Sequence, residues 1–192
     1  MKKKIDLMLA VSAIAGLLIS GCILTATGVV TVKLVPDKYG QPLIIQEIGY
    51  SDNGKISVNL SDDEDFEDLK AHISNIDNLG FYLEVTNKEF SPVTFQIFID
   101  SDTSADYTNI DMIIDSTELI LTGLEIPAGS PFNTKKTIVN WSQSMEYITG
   151  LTEVKSILET GVFSIYPLAI PRDNFNLSID SLVIIVTLTG KK

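Results

Sequence analysis

Two stretches of the chain alternate strictly. Leu79, Phe81, Leu83 and Val85 take turns with Gly80, Tyr82, Glu84 and Thr86, and Val93, Phe95, Ile97 and Ile99 take turns with Thr94, Gln96, Phe98 and Asp100. A period of two puts successive side chains on opposite faces of a strand, so each run predicts a strand with one face in a core. Joined by Asn87–Pro92, the two runs read as a hairpin. Gly28–Val35 is rich in β-branched residues and stops at Pro36. Pro42–Tyr50 and Lys55–Leu60 flank Asn53-Gly54, a tight-turn signal that predicts a second hairpin. Ile110–Ile114, Glu118–Thr122, Thr134–Asn140, Val162–Tyr166 and Leu177–Thr189 complete the strand set. Within the last, Leu182–Val186 is apolar at every position, which predicts cover on both faces.

Two stretches follow a helical period instead. Met145, Ile148, Leu151, Val154 and Leu158 recur every three or four residues between Trp141 and Thr160, with Gly150 as an interruption and Gly161 as a stop. Ser61–His72 predicts a shorter helix, in which Ser61 and Glu64 have capping-box spacing and the acids of Asp62–Asp68 complement the helix dipole. Nine or ten short strands with turn signals between them predict an all-β domain over residues 29–192. The expected architecture is one antiparallel β-sandwich, Ig-like or jelly-roll, with one peripheral helix. The run Leu79–Asn87 followed by Ser91-Pro92-Val93-Thr94 resembles strand pairs of Ig-like envelope modules. That likeness implies a fold and no activity.

The first 22 residues obey another rule. Met1-Lys2-Lys3-Lys4 is a positive head, Leu7–Ile19 is an apolar stretch, and Ser20-Gly21-Cys22 closes it with small residues. These are the marks of an export signal, and the apolar stretch is shorter than the roughly 20 residues of a membrane span. Leu18-Ile19-Ser20-Gly21-Cys22 resembles the lipobox of bacterial lipoproteins. The resemblance implies cleavage after residue 21, acylation of Cys22 with diacylglyceryl and N-acyl (palmitate-type) chains, and a short tether over residues 22–28. It also implies a protein of the bacterial cell envelope, held to the outer membrane or cell surface by covalent lipid.

Charge supports that picture. The whole chain carries −11, and loss of residues 1–21 removes three lysines and one aspartate, leaving −13. So acidic a body offers no basic surface for nucleic acid. It is also repelled by anionic headgroups, so lipid must do the holding. One cysteine excludes an internal disulfide, and one histidine, His72, excludes most histidine metal centres and limits any triad to itself. There is no nucleophile elbow, zinc-protease motif or phosphate-binding glycine loop, so an enzyme is not expected.

The remaining chemistry is carboxylate chemistry. Asp100, Asp102, Ser104, Asp106, Thr108 and Asp111 fall at positions 1, 3, 5, 7, 9 and 12 of a loop that is similar in spacing to an EF-hand. Ala105 stands where that motif has its turn glycine, and Asp111 where it has a bidentate Glu. Asp100, Asp102, Asp106 and Asp111 are therefore the calcium candidates. Trp141, Tyr82 and Phe98 are candidates for an aromatic platform. The expected function is a non-catalytic binding or structural lipoprotein with an envelope protein or polysaccharide partner. The alternative is a calcium-dependent glycan-binding module or a hydrolase using the loop carboxylates.

Overall fold

Two antiparallel sheets face each other across one apolar core in the computed structural model, which describes residues 25–35, 40–46, 54–62, 66, 73–130, 136–171 and 175–191. The strands are β1 (Thr25–Val35), β2 (Leu43–Gln46), β3 (Ile56–Asn59), β4 (Ile73–Asn87), β5 (Val93–Asp100), β6 (Glu118–Ile126), β7 (Thr137–Val139), β8 (Val162–Ile170) and β9 (Asn176–Lys191). The five-stranded sheet runs β1-β9-β4-β7 with β2 also on β9, and the four-stranded sheet runs β3-β8-β5-β6. β1 pairs with residues 182–191 of β9, and β2 pairs with 176–179. The two are therefore one edge strand, interrupted between Val35 and Leu43.

Every connection from β2 onward changes sheet except the one from β5 to β6. That order is the jelly roll's, and it decides between the two sandwich types that the alternation alone left open. Phe81, Leu83, Phe95, Ile97, Phe163, Ile165, Ile184 and Val186 fill the space between the sheets. Pro167 interrupts no ladder on the β3 side, because β3 pairs only with residues 162–165 of β8.

Both expected hairpins are absent. β4 lies between β9 and β7 in one sheet and β5 between β8 and β6 in the other, while β2 and β3 are likewise in different sheets. Alternation specifies which face of a strand is buried and says nothing about which strand lies beside it. The link after β4 is an arch folded on one side chain. Asn87 Nδ2 donates to Ser91 O at 2.8 Å, and Asn87 Oδ1 accepts the Glu89 N–H at 2.9 Å. Lys88 N–H to Asn176 O and Gly129 N–H to Glu89 O pin the arch to its neighbours.

Three α-helices have described bounds: α1 (Ile110–Ser116), α2 (Trp141–Ser144) and α3 (Leu151–Thr160). α1 replaces the strand expected at Ile110–Ile114. Asn109 caps it by accepting the Met112 N–H at 2.9 Å, and Ile110, Ile113 and Ile114 share one helical face, with Ile113 buried. The long helix expected over 141–160 is broken at Gly150, whose φ of 61° is left-handed, with a 3-10 turn at Met145–Tyr147 before it. Asn140 and Gln143 form a capping box at its start. Gly161, at φ 77°, ends it in an αL cap. A side chain there would strike Phe66, whose ring carbon lies 2.5 Å from the position of an added Cβ.

This segment closes one side of the sandwich. Ser144 Oγ accepts the Phe81 N–H at 2.7 Å, on the edge of β4 that β7 leaves uncovered. Ile148 bridges Leu121 of β6, and the Thr149 N–H donates to Ile120 O at 2.9 Å. Of the acidic stretch, Phe66 is helical, as the helix expected over Ser61–His72 requires, while Ser61 and Asp62 belong to a 3-10 turn. In the Leu60–Asp62 turn Asn59 Oδ1 accepts the Ser61 N–H at 3.2 Å, and the expected Ser61–Glu64 capping box falls outside the described residues. Phe66 is fully buried, while residues 63–65 and 67–72, including Glu64 and His72, lie outside the described residues. Leu182, Ile184 and Val186 are buried, but Val183 and Ile185 are only half-buried, so β9 is covered on one face and partly open on the other.

Candidate functional site

The aspartate loop begins where β5 ends. Asp100 is 8% exposed and points to the outer face of the four-stranded sheet. Its Oδ1 accepts the Asp102 N–H at 2.8 Å, and its Oδ2 accepts the Tyr107 O–H at 2.6 Å. Asp102 Oδ1 accepts both the backbone N–H and the hydroxyl of Ser104, at 2.8 and 2.6 Å. These bonds from Ser104 hold the Asp102 carboxyl below the usual carboxylate range. Lys55 donates to the carbonyls of Thr103 and Ala105 at 2.7 and 2.8 Å, so an ammonium sits at the loop's own backbone oxygens. Asp106 is exposed, and Asp111 is exposed in the first turn of α1. Among the described residues no three of His, Cys, Asp and Glu gather closely enough to hold a metal ion. Asp100, Asp102, Asp106 and Asp111 are thus distributed along a folded loop and do not share one centre.

What the loop does is roof a sheet. The Tyr107 ring meets Tyr166 edge-on at 5.5 Å, and Ile113 of α1 is buried alongside β5. Phe98, Tyr166 and Leu168 all point away from the shared core, yet none is more than 4% exposed. Burial first, then the bond to Asp100, push the Tyr107 phenol well above its usual range. Burial and the Asp100 charge also raise Tyr166. Ser164, the register partner of Asp100, and Tyr166 bring two buried hydroxyl oxygens to this face with no hydrogen bond of normal geometry among the described residues.

The aromatic candidates do not form a platform. Phe98 is buried on the four-stranded sheet. Tyr82 is on the outer face of the five-stranded sheet, where its hydroxyl donates to Glu84 Oε1. Trp141 covers Gly80 on β4 so closely that an added Cβ would lie 2.3 Å from its Cδ1. Lys136 completes a network on that face, 3.2 Å from both Glu84 Oε2 and Asp180 Oδ2. The Tyr82 hydroxyl and Lys136 hold the Glu84 carboxyl below its usual range, and the two carboxylates raise Lys136.

Among the described residues, two concavities open to solvent stand out. One, about 360 Å³, lies between β6 and β7 and is lined by Glu125, Thr137, Ile138, Gln143 and Glu146 among others. The other, about 230 Å³ and largely apolar, sits at the interruption of the edge strand, between Leu34, Val35, Pro42, Leu43 and Ile56.

Cys22 lies outside the described residues. β1 is already paired with β9 at Thr25, three residues before the start expected at Gly28, so the connection to Cys22 is shorter than anticipated. Among the described residues no helix is long and apolar enough to cross a membrane. No protein-family model, curated protein or solved structure matches this chain. Lys55 was the functional-looking residue that pattern reading missed. A lone lysine in a strand-like run carries no signal of the loop it reaches 48 residues away.

Proposed function

We propose that the chain is a lipid-anchored protein of a bacterial cell envelope, acylated at Cys22, whose jelly-roll body binds or braces and does not catalyse. The observation that carries the reading is the single cysteine of the chain, placed directly after Ser20-Gly21 at the end of a positive-then-apolar leader. Two acyl chains or more give stable anchoring where one gives only marginal binding, so an acidic body needs no basic patch to stay on the membrane. The engagement of Asp100 and Asp102 in folding their own loop supports a structural role for those carboxylates. An envelope protein or a polysaccharide is the partner class.

Fractionation of cells making the wild-type chain and Cys22→Ser tests the anchor. The wild type is expected in the membrane fraction and released only by detergent. Cys22→Ser is expected to keep residues 1–21 and to lose the acyl mass. A wild type found in the aqueous fraction would overturn the reading. The calcium-dependent alternative needs the four aspartates to converge. No heat and no rise in melting temperature on titration with millimolar calcium would retire it.

A further inference from the structure

We infer that the end of the jelly roll where β1 begins and β9 finishes is a docking surface for the bilayer that carries the acyl chains, with the Asn87–Pro92 arch as the far tip. The inference rests on the acylation of Cys22 proposed above. Only Ile23 and Leu24 separate Cys22 from Thr25, which already pairs with Lys191 of β9. Three residue steps span at most roughly 11 Å, against roughly 5–8 Å of headgroup layer on one side of a bilayer. The first pairs of the sheet are therefore drawn down to headgroup level and cannot stand off on a stalk.

Register names the rest of that end. Ala26 and Ile73 both pair with Gly190, and Thr27 and Asn75 both pair with Thr189. Lys155 of α3 joins them, its ammonium 2.9 Å from Asn75 Oδ1. The opposite end follows from the same ladder. Asn87 pairs with Leu177, twelve β9 residues beyond Thr189, which puts the arch about 40 Å farther out at the usual rise per residue. Phe90 at its crest is 76% exposed. A body of net charge −13 is repelled by anionic headgroups, so contact stays where chain length enforces it. The competing orientation lays the molecule flat on the outer face of its five-stranded sheet, where Ile138 is 57% exposed near the arch end.

Site-specific quenching distinguishes these. Once Cys22 is acylated, an introduced cysteine is the one free thiol of the chain. Thr27→Cys, Ile138→Cys and Phe90→Cys, each labelled with a fluorophore in the acylated full chain, would be placed in phosphatidylcholine–phosphatidylglycerol vesicles containing a headgroup-nitroxide lipid. Quenching is expected to be several-fold stronger at residue 27 than at 138 or 90. Equal quenching at 27 and 138 would overturn the inference in favour of a flat body, and strongest quenching at 90 would invert it. Intact mass of the same samples separates the two levels. Acylated protein with the wrong quenching order overturns only the docking, whereas unmodified Cys22 overturns the anchor and the docking with it.

Discussion

The outer faces of the two sheets have opposite fates. On the four-stranded sheet, the connection between β5 and β6 folds back so that Tyr107 packs on Tyr166 and α1 lies against β5, and the outward Phe98, Tyr166 and Leu168 are all buried. On the five-stranded sheet, Tyr82, Glu84, Val183 and Ile185 remain half-exposed, with Trp141 lying over Gly80 and the Lys136 network tying Glu84 to Asp180. An outward residue is therefore structural on one sheet and near-surface on the other. The cause is the length of the connections: Ser101–Thr117 is long enough to return across a sheet, and the arch at Asn87–Pro92 only turns a corner.

The largest expected effects break that contrast directly. Phe98→Ala should cost about 3–5 kcal/mol, as for a fully buried aromatic, and Phe95→Ala in the shared core should cost as much. Tyr82→Ala, at the equivalent outward place on the other sheet, should cost about 1 kcal/mol or less. Urea midpoints check all three, and equal values for Phe98 and Tyr82 would show that the roof does not shield its sheet. Gly80→Ala is next. Its methyl group must displace the Trp141 indole, for about 1–3 kcal/mol of overpacking. Gly80→Ala combined with Trp141→Ala should cost less than the sum of the single variants.

Tyr107→Phe tests the roof with a single atom. It removes the hydrogen bond to a buried carboxylate, for about 1.5–3 kcal/mol, and should loosen residues 101–117 in amide exchange while β9 stays protected. The smallest effect is in acid. The Glu84 carboxyl is depressed in the folded state, so its contribution is present above the unfolded-state pKa of about 4.3 and lost as pH falls through the lower folded value. Glu84→Gln should flatten that part of the stability-versus-pH curve. No flattening would mean that the Lys136 network adds nothing measurable, as for many exposed pairs.

Much of the strand set was legible in the chain because burial on one face writes itself as alternation. β4, β5, β8 and β9 lie where Leu79–Thr86, Val93–Ile99, Val162–Tyr166 and Leu177–Thr189 read as strands. Pairing was not legible, since the two sides of Asn87 carry the same pattern whether the next strand lies beside β4 or across the core. The clue available was Phe98, an aromatic at an outward position of β5, which announces cover on a face expected to be wet. α1 was hidden by its own composition: Ile110, Ile113 and Ile114 suit a strand, and only Asn109 before them signals a cap. For the candidate site, the spacing of Asp100, Asp102 and Ser104 fits both a cation loop and an ordinary polar strand connection. The same residues at the same spacing serve as Asx-type caps of their own loop, and only the partner atoms tell the two apart.

The most direct test of the account is the intact mass and N-terminal peptide of the wild-type chain extracted with detergent from bacterial membranes. The prediction is a polypeptide that begins at Cys22 and carries a diacylglyceryl group on the sulfur and an acyl chain on the amine. A chain that keeps residues 1–21, or one that shows a free thiol at Cys22, would contradict it.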